Sequence, residues 1–324
     1  MSEPKILEFL RDHGVEISAS TISRILLSQD WAHEEKKAIV RAGLSSSIHQ
    51  HIDDTKARVH GKNHHTHVLC NEFYTAYFTT EHKDRLSVLD ILRGFKPRSF
   101  LLNEEFVELM SILGLAEKWI ALMRLHLYAM PLDEVQMQTL LGSLSEKTQM
   151  GETILKRIME AAAIAAYHQE EDCIALLVCD DAPQFKLLAL LLALCWIHEG
   201  RHYKKLSPIV SLHQKILKSF LEDFWNYYHQ LLEFKESPTE EMARQLRERF
   251  EELFSIQTGY DELDQRIRKT FSKSEELLQI LQHPQIPLHN NSAELGARAA
   301  VRRRDVSLHT MTSKGTKAND SFMT

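Results

Sequence analysis

The 324-residue sequence has no apolar run long enough to span a membrane. Its longest, residues 187–197, is far shorter than the roughly 20 residues a spanning helix needs, and Lys186 and His198 flank it. It is expected to be a buried core helix. The amino terminus, Met-Ser-Glu-Pro-Lys-Ile, lacks the basic segment, long apolar stretch and small-residue cleavage site of a secretory leader, so a cytoplasmic protein is expected. Cysteine is sparse. Cys70, Cys173, Cys179 and Cys195 show neither Cys-x-x-Cys spacing nor the framework of a small disulfide-bonded domain, and are expected to be reduced core residues. Positive charge is short: 39 Lys and Arg against 45 Asp and Glu leave a net −6, which argues against a surface coated for nucleic acid and turns attention to local charge. His64, His65 and His67 crowd one polar turn, but no spaced pair of Cys or His accompanies them as a structural zinc site requires. No internal repeat or low-complexity tract appears.

What is present is globular: 26% charged and 44% hydrophobic residues, in a chain long enough for two or three structural units. Residues 5–12 set Ile6, Leu7, Phe9 and Leu10 on one helical face, Gly14 breaks the pattern, and Ser18 opens a second helix with Ile22, Ile25 and Leu26 inward. Two short helices about a glycine turn read as a helix-turn-helix with Ser20, Thr21, Ser23 and Arg24 outward, or equally as a plain helical hairpin. The excess of acids there leaves little charge to neutralise phosphate. Residues 47–80 are rich in strand formers with a break at Gly61-Lys62-Asn63, predicting two or three paired strands. Helical patterning covers residues 85–92, 103–114, 117–128 and 136–168, making a helical block. Residues 173–179 read as a short buried strand ending in Asp180-Asp181, and 185–198 as the helix behind it. Residues 204–282 are helical again, interrupted at Ser237-Pro238 and Thr258-Gly259. Pro284 and Pro287 end that stretch, and Asn290-Asn291 starts a helix running into Arg302-Arg303-Arg304.

Three acidic positions fall where elements begin or end. Strand side chains alternate, so only one of Asp53 and Asp54 can face a given site. Asp180-Asp181 raises the same question at the carboxyl end of a buried strand, a usual position for a catalytic carboxylate and also for a turn-forming aspartate. Asn291-Ser292-Ala293-Glu294 has capping-box spacing, which alone would account for Glu294, and Arg298 lies one turn on. His198 and Arg201 are three apart on one helix face, suited to act together or simply to finish a helix end. Beyond them, Arg298, Arg302, Arg303, Arg304, Lys314 and Lys317 face only Asp305 as a nearby acid, a local basic excess that suits DNA or a helix carboxyl end.

Several of these segments occur together and in order. They are Asp53-Asp54-Thr55-x-Ala57-Arg58 with Gly61-Lys62-Asn63, Asn71-Glu72-Phe73-Tyr74 and Arg85, then Asp180-Asp181-Ala182-Pro183-Gln184-Phe185 and Cys195-Trp196-x-His198-x-x-Arg201. His283-Pro284 and Pro287-Leu288-His289-Asn290-Asn291-x-x-Glu294 complete the set. In this the sequence resembles the bacterial transposases named after insertion sequence 66, a branch of the DDE transposases. The resemblance implies an α/β, RNase H-like mixed sheet with flanking helices and two large helical insertions. The core would be residues 47–94, 170–205 and 283–324, the insertions 95–169 and 206–282, and the helix-turn-helix-like unit 1–46. It implies Asp53, Asp180 and Glu294 as catalytic, metal-binding carboxylates, with Asp54 and Asp181 as neighbours, and two Mg²⁺ or Mn²⁺ ions as cofactors. His198, Arg201, Arg298, Arg302, Arg303, Arg304, Lys314 and Lys317 become the DNA-contact set. Expected partners are double-stranded DNA, as element ends and target, and a second copy in a homodimer assembled on DNA. The chain ends at Thr324 where the family ordinarily continues, so a truncated form is expected, with the Ser/Thr-rich stretch after Arg304 left unsupported. Two other readings stand beside the enzyme: a decayed transposase that binds DNA without cutting it, and a structural helical protein with acidic turns. Metal-dependent cleavage lost on Asp180→Ala separates the first from the others.

Overall fold

The computed structural model describes residues 3–28, 30–307 and 309–324. Helices α1 (Glu3–Asp12), α2 (Ala19–Leu27) and α3 (Asp30–Leu44) come first. Gly14, at φ +79°, turns the chain after α1, and Ser18 caps α2 by accepting the Thr21 N–H at 3.1 Å. The expected inward face is only partly realised. Ile22 is buried, but Ile25 is 46% exposed, Phe9 52% exposed, and no residue of α1 is fully buried, because little of the sheet lies against this pair.

A hairpin follows, β1 (His49–Val59) and β2 (Lys62–Cys70), closed by His60 and Gly61, both at positive φ as a tight two-residue turn requires. β3 (Thr75–Thr80) adds a third antiparallel strand, so the β-rich segment forms three strands. Next come α4 (Arg85–Leu92), β4 (Phe100–Leu102), α5 (Glu104–Ile112), α6 (Glu117–Arg124), β5 (Tyr128–Leu132), α7 (Glu134–Thr148) and α8 (Glu152–Tyr167). Two expectations are corrected here. Residues 136–168 form two helices, because Gln149 adopts the left-handed conformation at φ 53° and ends α7. The block is not wholly helical either, since β4 and β5 pair as a small antiparallel sheet.

The larger correction concerns residues 185–198. After β6 (Leu176–Cys179), a 3₁₀ turn (Pro183–Phe185) ends where this stretch begins, β7 (Leu191–Leu194) follows, and only afterwards does α9 (Trp196–Lys204) start. A parallel strand covered on both faces is continuously apolar, and a leucine-rich run has no periodicity to tell it from a buried helix. The sheet order is β3-β2-β1-β6-β7, with β6 parallel to β1 and β7 parallel to β6.

Four helices, α10 (Ser211–Glu236), α11 (Glu240–Phe254), α12 (Asp261–Phe271) and α13 (Ser274–Leu277), break where expected, after Glu236 and after Phe254. They gather Phe224, Tyr227, Phe250 and Phe254 around the buried Trp196 of α9, with ring centroids 5.5–6.4 Å away. This aromatic shell ties α9 to α10 and α11. Then α14 (Asn291–Ser307) and α15 (Ser313–Met323) close the chain. Val68, Tyr77, Ala297 and Ala300 form the seam between the sheet and α14, and a Cβ on Gly296 would meet Val68 Cγ1 at 2.6 Å, so glycine lets the helix lie this close. The opposite face, with Ile52, Leu69, Ala76 and Phe78, joins the main core against α4 and α8. The stretch after Arg304 is not unsupported: Asp320 of α15 accepts hydrogen bonds from the Thr79 N–H at 2.7 Å and its hydroxyl at 2.9 Å, and Ser321 meets His33 of α3. No helix among the described residues is long and apolar enough to cross a membrane.

Candidate active site

The register of the parallel strands brings the first two acids together. His51 on β1 pairs with Val178 on β6, so two residues further along each strand stand Asp53 and Asp180. β6 ends at Cys179 while β1 continues, and a cleft of about 270 Å³ opens there. Its walls include Asp53, Asp54, Asp180, His198, Arg201, Asn290, Glu294 and Arg298. The three carboxylates expected from distant parts of the sequence therefore line one depression. Among the described residues, no group of three or more His, Cys, Asp and Glu is set to hold a metal ion. The reason for Glu294 is visible: Arg201 donates from both terminal nitrogens to its two oxygens, at 2.9 and 3.0 Å, and Arg298 lies 3.5 Å away. The Glu294 carboxylate serves as a salt-bridge partner across 93 residues.

The two aspartate pairs divide their labour. Along β1, Asp53 shares a face with Val68 across the ladder, the face covered by α14, whereas Asp54 points the other way. Asp54 accepts from the Gln184 amide at 2.7 Å and lies 3.5 Å from Lys83 Nζ. The Asp53 carboxylate accepts the Asp54 N–H at 2.8 Å. Burial, set against that hydrogen bond and reinforced by Asp180, Asp54 and Glu294, pushes its pKa up to about 7. Asp180 is raised too, first by burial and then by Asp54 and Asp181, while the Ala182 N–H at 3.1 Å and His198 oppose the rise. Asp181 behaves differently. Burial would raise it, but Lys186 at 2.8 Å and Lys273 at 2.5 Å hold it below the usual carboxylate value.

One residue fastens the elements that carry these groups. Asn290, just before α14, donates its side-chain amide to the Ile52 carbonyl at 2.7 Å, beside Asp53. Its carbonyl oxygen meets His51 Nδ1 at 2.9 Å, and its backbone N–H reaches Cys195 Sγ at 3.3 Å. With the amide nitrogen committed as donor, His51 Nδ1 must carry the proton; burial, against the Asn290 bond, lowers the His51 pKa to about 4 and keeps the ring neutral. Cys195 also caps α9 by accepting the His198 N–H at 3.4 Å. Sequence reasoning assigns no part in the site to Asn290, Gln184, Lys83 or Lys273. Asn290 and Gln184 did lie inside the recurring segments, the only sign available.

The basic set is split. Arg298, Arg302, Lys314 and Lys317 are exposed. Arg303 donates to Asn319 Oδ1 at 2.5 Å, tying α14 to α15, and Arg304 turns toward the Thr55 hydroxyl at 3.4 Å. His198 lines the cleft without a side-chain hydrogen bond among the described contacts and stacks edge-on with His202 at 5.1 Å.

The chain is mixed α/β, and its parallel strands bring two acids to one cleft. Residues 151–318, more than half of the chain, match the transposase IS66 family, and the protein belongs to that family, a class that binds and processes DNA. A similar protein is the uncharacterized protein y4jO of Sinorhizobium fredii (strain NBRC 101917 / NGR234), 29% identical over 287 residues, which are 88% of this chain and 88% of that one. No solved structure matches the chain.

Proposed function

We propose that the protein is a DDE-type DNA transposase that cleaves and joins DNA at mobile-element ends, with Asp53, Asp180 and Glu294 as its metal-binding carboxylates. The observation that carries this reading is their convergence, from β1, from the end of β6 and from the first turn of α14, on one cleft. The order β3-β2-β1-β6-β7, an antiparallel meander flanked by two parallel strands, supports an RNase H-like core of residues 47–94, 170–205 and 283–324. Residues 95–169 and 206–282 are then insertions, and 1–46 an appended helical unit.

The donor set suits Mg²⁺ or Mn²⁺, which prefer carboxylate oxygens and are held by a few of them plus substrate phosphate. Asp53, taking one backbone hydrogen bond, retains lone pairs for a cation, as does Asp180. Two such ions, when bound, would activate a water or a 3′-hydroxyl and stabilise the oxygen leaving the phosphodiester. The residues of this chain do the rest: Lys186 and Lys273 draw Asp181 away so that Asp180 faces the cleft, and Asn290 keeps the Glu294 helix against β1. The exposed Arg298, Arg302, Lys314 and Lys317, with His198, are proposed to meet DNA phosphates, and a dimer would hold two element ends. Arg303 and Arg304 support this surface from behind through Asn319 and Thr55.

The test is Mn²⁺-dependent nicking of duplex DNA carrying candidate element ends. Asp180→Ala should reduce it at least roughly 10²-fold, while Asp181→Ala leaves most of it. Salt-sensitive DNA binding with no metal-dependent nicking in the unaltered protein would select a chain that only binds.

A further inference from the structure

One contact in the cleft is at odds with a metal-binding role for Glu294. The guanidinium of Arg201 takes one lone pair on each of its oxygens in a parallel, two-point pair, so the facing pairs that a chelating cation would share are directed at a side chain. Arg298 approaches only one oxygen, at 3.5 Å, and its side chain is 62% exposed, so it is no substitute for Arg201. Arg201 stands on α9, one turn beyond His198, with its own side chain 43% exposed where Glu294 is 17% exposed. It is thus positioned at the rim, between a carboxylate on the inside and whatever lies across the opening. A guanidinium fork fits a phosphate as well as it fits a carboxylate.

Resting on the assignment of Glu294 above, we propose that Arg201 is an exchange residue, which yields Glu294 to a divalent cation and takes a DNA phosphate in its place. A cation that claims Glu294 leaves Arg201 without its anion beside a second positive charge, an arrangement that favours an incoming phosphate. A phosphate that engages Arg201 equally frees Glu294 for the cation. Cation and DNA therefore bind this cleft cooperatively, and the coupling is reciprocal.

Calorimetric titration of Ca²⁺ into the full chain, with and without a mixed-sequence DNA duplex, tests this without any catalytic readout. The duplex should tighten Ca²⁺ binding about tenfold, and Ca²⁺ should tighten duplex binding by the same factor. In Arg201→Gln, Ca²⁺ alone should bind more tightly than to the unaltered protein and most of the coupling should vanish. Arg201→Lys, which keeps the charge and loses the fork, should restore part of it. Glu294→Gln should weaken Ca²⁺ binding with or without DNA. If it does so while Arg201→Gln leaves Ca²⁺ affinity and coupling unchanged, the exchange is overturned and the Glu294 assignment survives. If Glu294→Gln leaves Ca²⁺ binding unaltered, that assignment fails and the exchange fails with it.

Discussion

Helix α9 contributes to two groups of acids that the molecule treats in opposite ways. Glu199 is 3% exposed and is saturated: it pairs with Arg266, accepts from the Thr270 hydroxyl and lies 3.5 Å from Lys273, which in turn holds Asp181. In the cleft, Asp53 and Asp180 each receive a single backbone N–H, and both carboxyls are pushed toward the protonated form. A buried acid fully matched by cations is architecture, because its charge is already spent within the fold. A buried acid left with free lone pairs beside other acids destabilises the fold locally, and a bound cation would relieve that cost.

Stability measurements separate the two groups of acids. Glu199→Ala strips one acid from a buried network and leaves Arg266 and Lys273 without it, so urea denaturation should record a loss of about 3–5 kcal/mol. Asp53→Asn should act in the other direction. The folded protein holds the Asp53 proton up to about pH 7, whereas the unfolded chain releases it near 3.8, so the native state binds more protons between these values. Stability contributed by Asp53 therefore falls as pH rises through that window. With divalent cations chelated, Asp53→Asn should stabilise the protein by on the order of 2 kcal/mol at pH 8, a gain that fades toward pH 4. If Asp53→Asn instead destabilises as Glu199→Ala does, the two groups are alike and the distinction is void.

These contrasts were only partly legible beforehand. The β1–β2 hairpin was, because strand-forming residues flank a break at Gly61, and the apolar spacing of residues 85–92 predicts α4 over the span it occupies. The start of α14 was marked by Pro287 and Asn290-Asn291. β7 was not legible, since Leu191–Leu194 is leucine-rich and shows no alternation, and β4, three residues long, offers too little pattern to read. Alternation along β1 allowed one of Asp53 and Asp54 into the site without saying which; packing of α14 on the Val68 face makes the difference. For Asp180 and Asp181 the deciding groups are Lys186 and Lys273, and the second, 92 residues downstream of Asp181, is a contact no local pattern encodes. The capping-box spacing at Glu294 pointed elsewhere than the carboxylate's observed partner, Arg201.

On the proposed function, Asp53 and Asp180, with Glu294 once Arg201 releases it, form one cation site. Crystals of the protein soaked in Mn²⁺ and measured for anomalous scattering test it most directly. Manganese is expected in the cleft within coordination distance, about 2.1 Å, of oxygens of both Asp53 and Asp180. Manganese held instead by Asp54 or Asp181, or an empty cleft at saturating Mn²⁺, would contradict it.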